Sequence, residues 1–311
     1  MPIEHASVRA MHKPWGVSDL RPWSDIDGTR DAVGELWFER TDKAAPAPAL
    51  LLKLLFTKEP LSIQVHPDDT FARAMGMQNG KSEAWYIISA KPGAQIGIGL
   101  KRRVTPQELR TSITNGSIVE LVQWRPVAKD DVIFIPAGTI HALGAGVVLA
   151  EIQQRSDTTF RLFDYGRARE LHIDNGVAVA NTWPVRSPAN PSRLTDERTV
   201  LVSSRHFVIE RVDLPAGSSW ALVAEPETWI LVLDGHAAIG LATVSIGQAT
   251  FAGGGRSSIE VGINGLTALI AYPATQATDS LLQRLCEPST PPLQPNAPDD
   301  PKLKALPEAR T

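Results

Sequence analysis

Cysteine is almost missing from this chain: among 311 residues, Cys286 stands alone. That excludes an internal disulfide framework and a zinc site built from several thiolates, and it fits a reducing compartment. Charge of either sign is not in surplus, since 31 Lys and Arg face 34 Asp and Glu, a net charge of −3. Nothing electrostatic therefore recommends nucleic acid or an anionic membrane as a partner. No apolar run approaches the ~18 residues of a membrane helix. The opening residues Met1 to Ala6 lack the apolar core of a secretory signal, so a cytoplasmic location is expected. A glycine-rich phosphate loop is also absent, which argues against a nucleotide substrate. What the chain does have is apolar content of 43%, enough for one large or two modest domains.

The most informative stretch runs from Leu61 to Asp69 and reads as a strand stopped by Pro67. Side chains alternate along a strand, so Ser62, Gln64 and His66 share one face while Ile63 and Val65 share the other. A carboxamide and an imidazole then lie about 7 Å apart on one face, close enough to converge on one ion. Glu83 follows in Lys81-Ser82-Glu83-Ala84-Trp85-Tyr86, and His141 in Ile135-Pro136-Ala137-Gly138-Thr139-Ile140-His141. Gln64, His66, Glu83 and His141 together form a two-nitrogen, two-oxygen set suited to one divalent metal, with Zn2+ the best match.

These segments, with the run Glu151 to Arg167, resemble the class I mannose-6-phosphate isomerases in their short bacterial form. The resemblance covers roughly residues 13 to 275 and rests on four separated motifs in the family's order. It implies a cupin-type fold, a sugar-phosphate substrate and interconversion of mannose 6-phosphate with fructose 6-phosphate. One departure stands out. Long members of the family read Asn-His-Lys-Pro-Glu where this chain reads Asn79-Gly80-Lys81-Ser82-Glu83, so a histidine acid/base cannot operate from position 80.

Organisation along the chain agrees with a mainly β protein. Many short strands separated by Gly and Pro turns argue for barrels or sandwiches, and ligands on neighbouring strands argue for a jelly-roll barrel with the metal inside. We expect two jelly-roll, cupin-type barrels with a small helical insertion near the metal site. The first unit is residues 1–185, interrupted at about 105–123 by helices with capping boxes at Thr105/Glu108 and Ser117/Glu120. A linker with three prolines, Pro184 to Pro191, leads to a second, smaller, metal-free unit at residues 190–280. His206 and His236 there are expected to be structural. Lys13 to Gly16 reads as a turn, and Asp234-Gly235 as a hairpin. Residues 288–311 carry seven prolines and read as a disordered tail.

Aldose–ketose isomerisation needs proton movement between neighbouring carbons and between their oxygens, and a means of polarising the carbonyl. The resemblance implies that Arg161 stabilises developing oxyanion charge and that Asp157 orients it or transfers protons. Lys81 shares the face of Glu83 and could donate to a substrate oxygen. The general base is left among Lys81, Asp157 and water held by the metal. Arg167, Lys53 and Ser62 are the phosphate candidates the family supplies, and Glu151 and Gln153 could contact sugar hydroxyls. An enediolate is the expected intermediate. Two other readings compete: an iron-dependent cupin oxidoreductase, marked by redox or oxygen dependence, and a non-catalytic cupin that binds sugar phosphates without turnover.

Overall fold

The strand Leu50–Phe56 is apolar at six of its seven positions, and every one is buried. Such a run suits a strand covered on both faces. Leu50, Leu52, Leu54 and Phe56 point to a core that also holds Phe207, Ile209, Trp229, Leu231 and Phe251 from the second half of the chain. Leu51, Lys53 and Leu55 point the other way, with Leu55 joining Trp15, Trp85, Ile87 and Ile133. The computed structural model describes residues 3–185 and 190–285. Cys286 and the tail at 288–311, expected to be disordered, lie outside these residues.

The chain is mainly β and of the cupin type. Among the described residues it builds three sheets, all of whose recorded pairings are antiparallel. A six-stranded sheet runs in the order Ser7–Val17, Val33–Glu39, Leu50–Phe56, Val147–Gln154, Glu83–Ala90, Val132–Ile135. A five-stranded sheet runs Phe160–Phe163, Ile63–Val65, His141–Leu143, Gln95–Leu100, Val122–Pro126. The third sheet has ten strands and belongs to the second half, except that Ile3–His5 pairs there with Ala249–Ala252.

The helices Pro106–Asn115 and Ile118–Leu121 do not roof the cavity. Leu109, Ile113 and Ile118 pack with Ile63, Val65, Ile140, Ala142, Phe160 and Leu162, the far face of the five-stranded sheet. The first capping box forms, with Thr105 and Glu108 exchanging bonds. The second does not: Ser117 makes no side-chain cap bond.

Two local expectations change, and one helix is added. Lys13 to Gly16 is an irregular stretch of the long edge strand Ser7–Val17, where the ladder skips from His12 to Val17. Pro14 lacks an N–H and is tolerated because the strand is an edge. Asp234-Gly235 lies inside the strand Thr228–Ile239, at a pair of register shifts. Gly235 has φ of +75°, and a Cβ there would lie 2.0 Å from the Gly265 carbonyl oxygen. A glycine bulge has replaced the hairpin. Finally, Ile173–Val179 is a helix that the sequence masked with a central glycine. Gly176 is there for packing, since a Cβ would meet Leu162 at 2.3 Å.

Candidate metal centre and cavity

Two sheets present the site to each other. On the five-stranded sheet, Arg161 lies opposite Gln64 and Gln64 opposite His141, a single row across three strands. On the six-stranded sheet, Glu83 and Trp85 share a face with Glu151, Lys53, Glu35 and Trp37, because each lies in register with the next strand's same-face residue. Between them is a cavity of about 300 Å³. Its lining includes Gln64, Lys81, His141, Glu151, Asp157 and Arg161.

His66, Glu83 and His141 are 1%, 0% and 1% exposed, and their ligand atoms lie within 4.8 Å of one another. His66 Nδ1 is 2.9 Å from the Thr158 carbonyl and His141 Nδ1 is 2.8 Å from the Thr139 carbonyl. Each ring must donate there, which leaves the Nε2 lone pairs facing inward. His66 Nε2 is 3.2 Å from Glu83 Oε2, and His141 Nε2 is 3.3 Å from Glu83 Oε1.

The charge states sharpen this. Burial, then the Lys81 ammonium, pushes the His66 imidazole down to about 3. Burial also lowers His141. Burial alone would raise the Glu83 carboxyl, but Lys81 foremost holds it well below the usual carboxylate range. Neutral imidazole lone pairs therefore face a carboxylate, acceptor against acceptor, and Glu83 Oε1 has no hydrogen-bond partner. A buried polar atom left so is costly, and a cation between the groups relieves it. The residues fit a divalent metal on this ground.

Gln64 sits beside them, with Nε2 3.2 Å from His141 Nε2 and Oε1 accepting from Ser62 at 3.1 Å. A half-turn of its amide would bring oxygen to the cluster. Lys81 Nζ is 3.1 Å from His66 Nε2 and in close contact with Glu83 Oε2.

The expected phosphate candidates separate. Lys53 is buried and held 3.2 Å from Glu151, 3.7 Å from Glu35 and 4.5 Å over the Trp37 ring. Burial would lower its ammonium, but Glu151 and Glu35 outweigh that and raise it. Glu151 accepts from Trp85 Nε1 at 3.0 Å and is pushed up, by burial first and then by Glu83. Ser62 lines the cavity. Arg167 does not: its guanidinium is taken by Glu59 at 3.0 Å, Asp164 at 3.1 Å and the Pro60 carbonyl at 2.8 Å. Two residues on, Arg169 does line the cavity.

Sequence reasoning missed Lys13, Glu35, Arg169 and His172, all in the lining. Glu35 carried a faint signal, a charged residue alternating with Trp37 on a strand. The other three carried none. Position 80 has no room for a side chain, because a Cβ on Gly80 would lie 2.5 Å from the main-chain carbonyl carbon of Asp68.

No family model matches the chain. The mannose-6-phosphate isomerase of Streptococcus mutans is 38% identical over 201 residues, 61% of this chain and 62% of that protein. The chain thus matches less than two thirds of that relative's length. The candidate mannose-6-phosphate isomerase YvyI of Bacillus subtilis is 39% identical over 219 residues, 65% of this chain and 67% of that protein. The chain belongs to the mannose-6-phosphate isomerase family. The crystal structure of the family's Bacillus subtilis mannose 6-phosphate isomerase superposes with a TM-score of 0.77 at 25% identity, over 88% of this chain and 100% of that one. A zinc-bound mannose 6-phosphate isomerase superposes with a TM-score of 0.69 at 14% identity, over 88% of this chain and 100% of the other. At that identity the likeness is one of fold. The family read from four short motifs is thus the family that these comparisons show.

Proposed function

We propose that this chain is a zinc-dependent aldose–ketose isomerase that interconverts D-mannose 6-phosphate and D-fructose 6-phosphate. The observation that carries the reading is the buried Glu83 carboxylate at the end of a polar cavity, with one imidazole lone pair facing each oxygen and Oε1 left without a hydrogen-bond partner. Gln64, His66, Glu83 and His141 would hold one Zn2+, a donor set typical for that ion. The zinc-bound relative supports the choice of metal. When bound, the ion supplies Lewis-acid polarisation of the sugar's carbonyl oxygen.

The rest follows from the chain's own side chains. Arg161 sits one strand from Gln64, so its charge lies beside the oxygen where charge develops. Its Nε is buried and has no partner, which leaves a donor for that oxygen. Lys81 and Asp157 are the proton-transfer candidates, Lys81 within reach of the metal ligands and Asp157 on the cavity wall. Glu151, held by Lys53 and Trp85, offers an acceptor to sugar hydroxyls. The phosphate would sit where Arg169 lines the cavity, with Ser62 nearby. Every lining residue falls between Lys13 and His172, which supports a catalytic unit at residues 1–185 and a companion unit at 190–280. The near-absence of cysteine supports a cytoplasmic setting.

The test is a coupled assay with mannose 6-phosphate before and after chelation. Turnover that disappears on chelation and returns with Zn2+ supports the reading, and no turnover with any divalent metal overturns it. In deuterated water an enediolate route places deuterium on C1 of the fructose 6-phosphate, because a side-chain base exchanges its proton with solvent. Early product free of deuterium at several pH values would leave a direct hydride shift instead.

A further inference from the structure

Arg161 lies on Phe160–Phe163, the outermost strand of its sheet. Its inner neighbour is Ile63–Val65, and among the described residues no strand lies on the other side. An edge leaves main-chain N–H and C=O groups without a ladder. At Arg161 the segment 170–172 takes the place of that missing strand. The Arg161 N–H donates to His172 Nδ1 at 3.1 Å, and the His172 N–H donates to the Arg161 carbonyl at 2.8 Å. The Arg161 side chain is held as well, with Nη1 donating to the Glu170 carbonyl at 2.8 Å. One residue is therefore gripped at its N–H, its C=O and its guanidinium by two positions of one loop, Glu170 and His172.

The imidazole is free for this work. His172 precedes the helix Ile173–Val179, where a side-chain acceptor commonly caps the first turn, yet its side chain makes no cap bond. Because Nδ1 accepts the Arg161 N–H, the proton of a neutral ring resides on Nε2. The ring packs 6.1 Å from the Phe160 ring, centroid to centroid, and lines the cavity.

We propose that His172 is a positioning residue for the isomerase reaction. Its Nδ1 pins the edge strand so that Arg161 stays in the row with Gln64 and His141. This rests on the function proposed above, in which Arg161 stabilises charge on the reacting oxygen. A guanidinium free to drift by an ångström would lose stabilisation that matters only in the transition state. The effect should fall on kcat rather than on KM.

The experiment compares His172→Ala, His172→Asn and His172→Gln. The Asn carbonyl oxygen falls near the place of Nδ1 and can accept the Arg161 N–H, whereas the Gln amide reaches past it. His172→Ala and His172→Gln should lower kcat roughly ten- to hundredfold, with KM and metal content near those of wild type. His172→Asn should recover to within about threefold of wild type, as fits a contact worth one hydrogen bond. In an Arg161→Ala background, His172→Ala should add nothing, because both changes remove one effect. Wild-type kcat in His172→Ala, an Asn variant as poor as Ala, or losses that multiply in the double variant would each overturn the proposal. Amide exchange at Arg161, read by NMR on labelled protein, decides the clamp without any substrate. Protection should be lost in Ala and Gln and kept in Asn, and unchanged protection in Ala and Gln overturns the clamp. If wild-type protein fails to isomerise mannose 6-phosphate, the functional reading falls while the exchange result still judges the clamp.

Discussion

Glu83 and Glu210 are both fully buried carboxylates, one in each half of the molecule, yet their surroundings are opposite. Glu210 is saturated. Its Oε2 accepts Arg198 Nε at 2.8 Å, and its Oε1 accepts Arg198 Nη2 at 2.8 Å and the Tyr272 hydroxyl at 2.6 Å. Arg198 spends two further donors on the Asp279 and Thr278 carbonyls. Glu83 meets one ammonium and two lone pairs, and one of its oxygens has no partner. A buried charge with every valence answered acts as a structural pin, and breaking such a pair is far costlier than its net contribution suggests. A buried charge surrounded by acceptors is incomplete without a cation. Burial alone would not have told the two apart.

The comparison breaks most sharply at the metal ligands. Glu83→Gln, His66→Ala and His141→Ala should each strip the metal, measured by elemental analysis. Each should cost about a thousandfold in turnover, the several kcal/mol a bound Lewis acid supplies. Full metal occupancy in all three would dismantle the site. Glu210→Ala should do the reverse: metal content and turnover of the folded enzyme hold, while stability falls by about 3–5 kcal/mol because Arg198 is left buried and unpaired. Urea unfolding measures it, and a loss below about 1 kcal/mol would make Glu210 no pin.

Lys81→Met comes next. Turnover should drop by about a hundredfold or more if Lys81 moves protons. Metal affinity should hold or rise, since a cation beside the ligands has been removed. Loss of metal in this variant would make Lys81 a structural partner of Glu83. The smallest effects are at the phosphate end. Arg169→Ala should raise KM about tenfold, consistent with one charge-assisted contact. Arg167→Ala should change it by less than about threefold, because Arg167 does not line the cavity, whereas Arg169 does, though it too is paired with Asp164, at 2.6 and 2.7 Å. The opposite ranking would restore Arg167 as the phosphate residue.

Much of the site was legible because it is carried by strands. Alternation set Gln64 and His66 apart from Ile63 and Val65, and the latter two do join the apolar core behind the sheet. Leu50–Phe56 read as doubly covered and is so. What misled were signals with two structural solutions. Pro14-Trp15-Gly16 suits a turn or a broken edge strand, and Asp234-Gly235 suits a hairpin or a bulge. The neighbouring strands decide between them. Ser117 and Glu120 have the spacing of a capping box, but Ser117 sits in a helical conformation with φ −70° and ψ −3°, where its hydroxyl makes no cap bond.

By itself the sequence determined the class of the chain, its mainly β character and the residue types that could grip a metal, because these depend on local period and on chemistry each residue carries with it. Tertiary structure alone decided which charges are answered. Lys53 became a partner for Glu151 and Glu35, and Arg167 for Asp164 and Glu59. Arg169 and His172 reached the cavity from a loop with no periodic signal. Those outcomes depend on which strands become neighbours and which edge a loop covers. Electrostatic neighbours in a buried cavity are set by distance in space, and spacing along the chain does not encode it.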